Sequence, residues 1–525
     1  MAARLARLGR LPALPMFRAA QTHQRRVAVV DGAGSHTYAQ LLADAQRVRA
    51  ALGRSVGGGA SVAMLMPSTY EYVAVQWGIW AAGGAVVPLS PAHPERELEF
   101  FIADSAARHV ICHPSLSAPL RRVLERMAAP VRLLPSDELV GPGSAADAPG
   151  TAVDDGPDSP PVGLDQNALF IYTSGTTGRP KGVVHTHATL AAQLAALHEA
   201  WRWSPADRLL HVLPLHHVHG IVVALAGALW AGATAELLPR FDAAQVLARL
   251  VDGPQDVSLL MGVPTMYARL LQAIGALPDA RRRRARDALA RLRLTVSGSA
   301  ALPAAVFRAW HAATGQTMLE RYGMSETGMV LSNDAADPAA RVPGAVGRPL
   351  PAVDVRLVDD AGADVTARPD VPGVLHVRGP AVFREYYGLP DKTASEFTPD
   401  GWFVTGDVAA RDAAGVYRIM GRLSTDIVKS GGFKLSALEI ERDLLEHPDI
   451  ADVAVVGLPS DEWGEAVAAA VVLRPGAAPL PLADLKPWCR ERMAHYKIPK
   501  ALVAVDALPR NLMGKLDKKA VKCLF

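Results

Sequence analysis

The sequence is poor in the features that would assign it to several large classes of protein. It has three cysteines in 525 residues. Cys112, Cys489 and Cys523 are far apart and lack ligand spacing, which argues against a disulfide framework or a cysteine zinc site and suits a reducing compartment. Net charge is equally scarce. At +3, with a pI near 8.7, the chain is too weakly basic to point to nucleic acid as a partner. Its most basic run, Arg281 to Arg284 with Arg286, falls in an Ala/Leu-rich helical pattern and reads as a solvated face. No uncharged stretch suits a membrane span: Tyr72 to His93 is broken by Gly83, Gly84, Pro88 and Pro91, as in a buried helix running into a strand, and Gly220 to Ala235 is too short. A Gly-x-Ser-x-Gly elbow is absent, which excludes a serine hydrolase, and no repeat of fixed period is found.

What is present is enough apolar residue, 50% against 20% charged, to bury a large core in two or more domains. From Leu169 onward apolar runs alternate with amphipathic segments. Ala168 to Ile171, Leu209 to Leu213, Ala235 to Leu238, Val257 to Met261 and Leu292 to Val296 read as strands, and this βαβα order implies mainly parallel sheets with ligands at the strands' carboxyl ends. Val353 to Val358, Asp359 to Asp364 and Gly373 to Arg378 read as short strands with Asp/Gly turns, a small β-barrel or antiparallel section. Gly141 to Gly163 reads as a surface linker. After Gly421 a new unit begins, with helices at Ala437 to Glu446 and Leu482 to Met493 and strands at Asp452 to Gly457, Ala466 to Leu473 and Leu502 to Asp506. The expected fold is α/β: a large N-terminal domain over residues 15–420, a hinge at 421–424 and a small mobile α+β C-terminal domain over 425–525. The first thirty residues hold six arginines (Arg4, Arg7, Arg10, Arg18, Arg25, Arg26) and no acid. With Leu5, Leu8 and Leu11 at helical spacing they read as a mitochondrial targeting segment over 1–14; an ordinary basic N-terminus is the alternative.

The loop Thr173-Ser174-Gly175-Thr176-Thr177-Gly178-Arg179-Pro180-Lys181 suits phosphate, because glycines let backbone N–H groups approach an anion, hydroxyls add donors and lysine adds charge. It is not a Walker A loop. Arg179 and Pro180 separate Gly178 from Lys181, and proline lacks a donor. Five further segments follow in order: Leu213-Pro214-Leu215-His216-His217-Val218-His219-Gly220, Glu320-Arg321-Tyr322-Gly323-Met324-Ser325-Glu326, Gly401-Trp402-Phe403-Val404-Thr405-Gly406-Asp407, Gly421-Arg422 with Lys429-Ser430-Gly431-Gly432-Phe433-Lys434, and Pro509-Arg510-Asn511-Leu512-Met513-Gly514-Lys515. Together they resemble the adenylate-forming superfamily of acyl-CoA synthetases, adenylation domains and luciferases over roughly residues 15–520.

The resemblance implies ATP, Mg²⁺ and coenzyme A, and a two-step reaction through an acyl-adenylate. It casts Lys515 as the bridge between carboxylate and α-phosphate, Glu326 as the Mg²⁺ ligand, and Thr173 to Gly178 with Lys181 as the wrap around the β- and γ-phosphates. Asp407 and Arg422 would hold the ribose, Gly298 to Ala301 with Ser299 and Ala300 would wall the adenine, and Tyr322 and Ser325 would complete the nucleotide site. Ser325 stands where threonine is usual, with the hydroxyl kept. His217 would gate the acyl site and His219 would line it; a metal cluster of His211, His216, His217 and His219 is the alternative, without a carboxylate or cysteine to complete it. Gly431, Gly432 and Lys434 would meet coenzyme A after the C-terminal domain rotates about Ser424, where Asp or Lys is usual.

Arg321 bears on the acid. A fixed guanidinium would clash with a hydrocarbon tail but could hold a second carboxylate bidentately. With Val296 to Pro303 and His211 to His217, it makes the chain similar to the malonyl-CoA synthetases, the mitochondrial members that also take methylmalonate above all. The other readings are a structural ion pair of Arg321 with Glu320 or Asp407, a medium-chain or aromatic acid ligase, and, from a different class, a carrier-loading adenylation module, which expects a phosphopantetheine domain that does not follow before Phe525. A monomer in the mitochondrial matrix is expected, with the cytoplasm as the alternative location.

Overall fold

The computed structural model describes residues 13–127, 129–140, 162–173, 179–430, 433–510 and 516–525. Its large N-terminal domain is built on two sheets made from the short apolar runs. In the first, Leu319–Met324, Leu294–Ser297, Leu259–Gly262, Arg208–His211, Thr234–Leu237 and Val27–Asp31 lie side by side in that order, all parallel. The second sets Asn167–Thr173 beside Ala85–Leu89, Ser61–Leu65, His109–Cys112 and Arg132–Pro135, again parallel. Strands buried on both faces lose the polar/apolar alternation, which is why they read as continuous apolar runs.

The Tyr72 to His93 run is a helix, Tyr70–Ala81, followed by the strand Ala85–Leu89, both buried. Trp77 within it, with Trp201 and Trp310 elsewhere, is almost wholly buried, and each side chain of this size contributes on the order of 2–3 kcal/mol. The Gly220 to Ala235 run is a helix, of the wide π type over His219–Ala226 and α-helical over Gly227–Trp230, leading into the strand Thr234–Leu237. Among the described residues no helix is long and apolar enough to cross a membrane. The basic run lies on the helix Asp279–Ala290 with Arg281, Arg282, Arg283, Arg284 and Arg286 exposed.

Near the N-terminus, the arginine count mixes two things. The helix Pro15–Thr22 buries Met16, Phe17 and Ala20, with the Phe17 ring edge-on to Trp77, and Arg26 Nε donates to Gly232 O at 3.1 Å. Arg18, Arg25 and Arg26 therefore belong to the folded domain, and Arg4, Arg7 and Arg10 lie outside the described residues. The 141–163 linker also lies outside them up to residue 161.

A four-stranded antiparallel sheet follows, in the order Asp354–Val358, Gly373–Arg378, Phe403–Arg411, Tyr417–Arg422. The stretch Asp359 to Asp364, expected as a strand, is a turn. The Asp359 carboxylate accepts from Ala361 N and Ala363 N at 3.0 and 2.9 Å, a local bonding habit of Asp that competes with strand pairing.

The small C-terminal domain has its own five-stranded sheet. Ile450–Ser460 and Gly464–Leu473 pair antiparallel at its centre, and the helices Ala437–Leu444 and Leu482–Arg490 bury Ile440, Leu444 and Leu485 against Val453, Val455 and Val467. Ser436 caps the first helix by accepting from Glu439 N at 3.0 Å. Between the domains, residues 422–426 form a tight turn in which Asp426 Oδ2 accepts from Arg422 N at 3.0 Å. Gly421 fits above it because its φ is +125° and a Cβ there would sit 2.5 Å from Asp426 Cβ.

Candidate active site

The carboxyl ends of the parallel strands bring together the residues expected on the acyl side. Arg321, on the strand Leu319–Met324, is 4% exposed. Its guanidinium lies against Gly298, where a Cβ would come within 2.3 Å of Cζ. Its Nε and Nη2 have no hydrogen-bond partner among the described residues. Burial without a counter-charge pulls its pKa down to about 9, because removing a cation from water penalises the charged form. His219, at the start of the π-type helix, is 3% exposed; its Nδ1 is 3.2 Å from Ser299 Oγ and its Nε2 has no partner among the described residues. Burial first, then the Arg321 charge, holds it well below the ordinary histidine range, so the ring is neutral. Ser299 achieves this contact in the left-handed region, with φ +68°.

The ion-pair alternatives for Arg321 do not form. Alternation along the strand turns Glu320 to the other face, where Oε1 accepts from Gly344 N at 2.9 Å. Asp407 pairs with Arg422 instead. Glu320 is itself buried, and desolvation raises its pKa to about 8. The folded chain thus takes up a proton there between pH 4.5, the ordinary value, and about 8. Stability from the neutral carboxyl is present below the lower value and lost as pH rises to the upper. Glu320→Gln is accordingly expected to raise Tm at about pH 8.5 and to leave it nearly unchanged at about pH 5; equal shifts at both would reject this ionisation.

On the nucleotide side, Asp407 and Arg422 sit opposite each other on adjacent strands, with Arg422 Nε 2.9 Å from Asp407 Oδ1 and Tyr322 donating its hydroxyl to Oδ2 at 2.5 Å. A buried carboxylate held by two donors is rigid, and its guanidinium partner is 38% exposed at the side chain, so both can meet the hydroxyls of a sugar. Thr173 and Lys181 are also directly opposite, on the antiparallel strands Asn167–Thr173 and Lys181–Thr186. The residues on either side of the loop expected to hold phosphate are thus both strand residues, whereas a Walker A loop opens a helix. Lys181 Nζ stands 4.3 Å from the centre of the Tyr386 ring, and Tyr386 Oη donates to Glu326 Oε1 at 2.8 Å. Burial raises the Glu326 pKa, with Tyr386, Arg422 and Lys181 opposing. The backbone of Ser325 accepts from His185 Nε2 at 2.7 Å.

The histidines form a cluster of rings. The His217 ring centre lies 4.1 Å from that of His216, and His216 5.6 Å from His93. Among the described residues no group of His, Cys, Asp and Glu has a metal-holding arrangement. Ser299 and Ala300 are exposed at the end of the strand Leu294–Ser297. Ser174, Gly175, Thr176, Thr177, Gly178, Gly431, Gly432 and Lys515 lie outside the described residues, as does the side chain of Lys434. Sequence reasoning did not find Tyr386, which connects Lys181 to Glu326. It sits on the two-residue strand Glu385–Tyr386 beside Lys181–Thr186, and an aromatic pair in a loop-rich stretch carries no signal of such a link.

Known proteins resemble this chain over nearly its whole length. The family described as AMP-binding enzyme matches residues 16–387, and its C-terminal domain matches 439–515. Mouse mitochondrial malonate–CoA ligase ACSF3 is 43% identical over 96% of the chain and 90% of its own length. ATP-bound MatB from Rhodopseudomonas palustris superposes with a TM-score of 0.85 at 35% identity, covering 98% of this chain and 99% of that one. A malonyl-CoA ligase in a ternary product complex with methylmalonyl-CoA and AMP gives 0.64 at 39% identity, covering 93% and 97%. The chain belongs to the AMP-binding enzyme family and is an AMP-forming acid–CoA ligase.

Proposed function

We propose that the protein joins malonate to coenzyme A at the expense of ATP, with methylmalonate as a second substrate. The observation that carries this reading is the buried, unpaired guanidinium of Arg321. A charge in that position is costly unless a counter-ion arrives, and a dicarboxylate brings one. A medium-chain or aromatic acid would leave the charge unpaired. His219 supports the same reading: in the tautomer whose Nδ1 accepts from Ser299, the buried Nε2–H would donate to the same carboxylate.

In the first step an oxygen of the other carboxylate attacks the α-phosphorus and the bond to pyrophosphate breaks. In the second the thiol of coenzyme A, losing its proton, attacks the acyl carbon and AMP leaves. The difficulty is anion meeting anion, so cations placed in advance lower the barrier. Lys181, braced by Tyr386, would hold the outer phosphates with Thr173 and residues 174–178; Asp407 and Arg422 would hold the ribose, with Tyr322 fixing Asp407 and Ser299, Ala300 and Ser325 beside the base. Lys515 would bridge the carboxylate and the α-phosphate. Glu326 fits Mg²⁺, since a buried carboxyl of raised pKa regains its ionised form beside a divalent cation, and the ion would neutralise charge on the phosphates.

The C-terminal domain would swing at 421–424, with Ser424 as pivot, bringing Gly431, Gly432 and Lys434 to coenzyme A while His217 gates the thiol's path. A mitochondrial matrix location is part of the reading, supported by the mouse relative and by the acid-free residues before Leu14; the cytoplasm is the alternative. Pyrophosphate release measured with malonate, methylmalonate, acetate and octanoate is expected to be fast only with the first two. Faster release with octanoate would overturn the proposal.

A further inference from the structure

A second buried cation lies outside the site. Lys518 is 8% exposed, begins the C-terminal helix Lys518–Lys522, and stands three positions beyond Lys515. Its Nζ donates to Glu441 Oε1 and to Val455 O, the latter at 2.7 Å, and lies 3.7 Å from Asp426 Oδ1. Glu441 Oε1 also accepts from Val455 N at 2.6 Å. One ammonium therefore connects three elements: the helix Ala437–Leu444, the central strand Ile450–Ser460 and the hinge turn. Asp426 is the residue whose other oxygen closes that turn on Arg422 N, and its backbone oxygen accepts from Ala437 N at 2.7 Å.

The other side of the segment is fixed too. Asp517 N donates to Pro509 O at 2.9 Å, Arg510 pairs with Leu516, and Arg510 Nη2 reaches Asp452 at 2.6 Å. Arg510 and Leu516, on either side of 511–515, are thus both held. Three residues span at most about 10 Å, so the Lys518 anchor limits where Lys515 can go. Buried ion pairs rarely add much net stability over an apolar replacement, and in some proteins they serve to fix one geometry.

We propose that Lys518 is a positioning residue for adenylation: paired with Glu441 and Asp426, it locks the stem of the Lys515 segment to the hinge turn, so that hinge rotation delivers Lys515 to a defined place. This rests on the adenylation role given above to Lys515. The two half-reactions separate the possibilities. In Lys518→Met, kcat for pyrophosphate release with malonate is expected to fall by about thirty- to a hundredfold, as for a reacting group displaced by about 1 Å. The KM for ATP should be little changed, and thioester formation from supplied malonyl-adenylate should stay near wild type, which also reports a folded domain. Lys518→Arg should recover most of the loss, and Glu441→Gln should repeat the pattern if the methionine variant does not fold. Equal loss of both half-reactions, or unchanged adenylation, would overturn the proposal. Lys515→Ala in parallel tests the reading beneath it: if that variant does not lose adenylation selectively, the role of Lys515 fails, whatever Lys518 does.

Discussion

Arg321→Leu is expected to lower kcat/KM for malonate by about 10²- to 10³-fold, the range for removing one partner of a desolvated charge pair, while ATP affinity stays that of the wild type. The same substitution should raise Tm in the absence of substrate. The wild type buries a guanidinium with two nitrogen donors unpaired against Gly298, and leucine removes that cost. Malonate should raise the Tm of the wild type by binding only the folded form, and this response should vanish in the variant. Loss of activity with gain of stability is a pairing that simple misfolding cannot produce. Wild-type turnover of malonate by the variant would end the dicarboxylate reading. A lower Tm would show that the guanidinium is satisfied by the fold itself.

The second large effect is expected at Lys515. Lys515→Ala should slow malonate-dependent pyrophosphate release by about 10²- to 10³-fold or more, the scale for removing one preorganised charge from a developing anion. Thioester formation from malonyl-adenylate should remain within a few-fold of wild type, because in that step carboxylate and phosphate are already joined and the repulsion Lys515 offsets is gone. Stopped-flow measurement of each half-reaction decides the matter. Parallel loss of both would mean that one arrangement of the C-terminal domain serves both steps.

Much of the scaffold was legible because burial on two faces writes itself as short apolar runs. Leu209 to Leu213 and Leu292 to Val296 became the strands Arg208–His211 and Leu294–Ser297 with only their ends shifted. Ends are set by single hydrogen bonds, to which hydrophobicity is blind. The candidate site was read as an ordered set of residue types, each matched to a task, and the structure brings Asp407, Arg422 and Tyr322 into contact and links Lys181 to Glu326 through Tyr386. What could not be read were the links between them. Tyr386 meets Glu326 across 60 positions, Ser299 meets His219 across 80, and nothing local marks either pair. The Asp359 turn was missed for the opposite reason: its cause is local, one carboxylate bonding the backbone two and four residues on. Arginines near the N-terminus read as one population, though helix packing divides them.

The contact between Arg321 and Gly298 also bears on how such a ligase could change its acid over generations. A side chain at 298 would push the guanidinium aside, so a mutation there displaces the charge while Arg321 remains and becomes neutral, even useful as a filler, once Arg321 is lost. The effect of one substitution changes sign with the other. Under the role proposed for Arg321, the two positions are therefore coupled, and an arginine placed at 321 keeps its present position only where 298 is glycine.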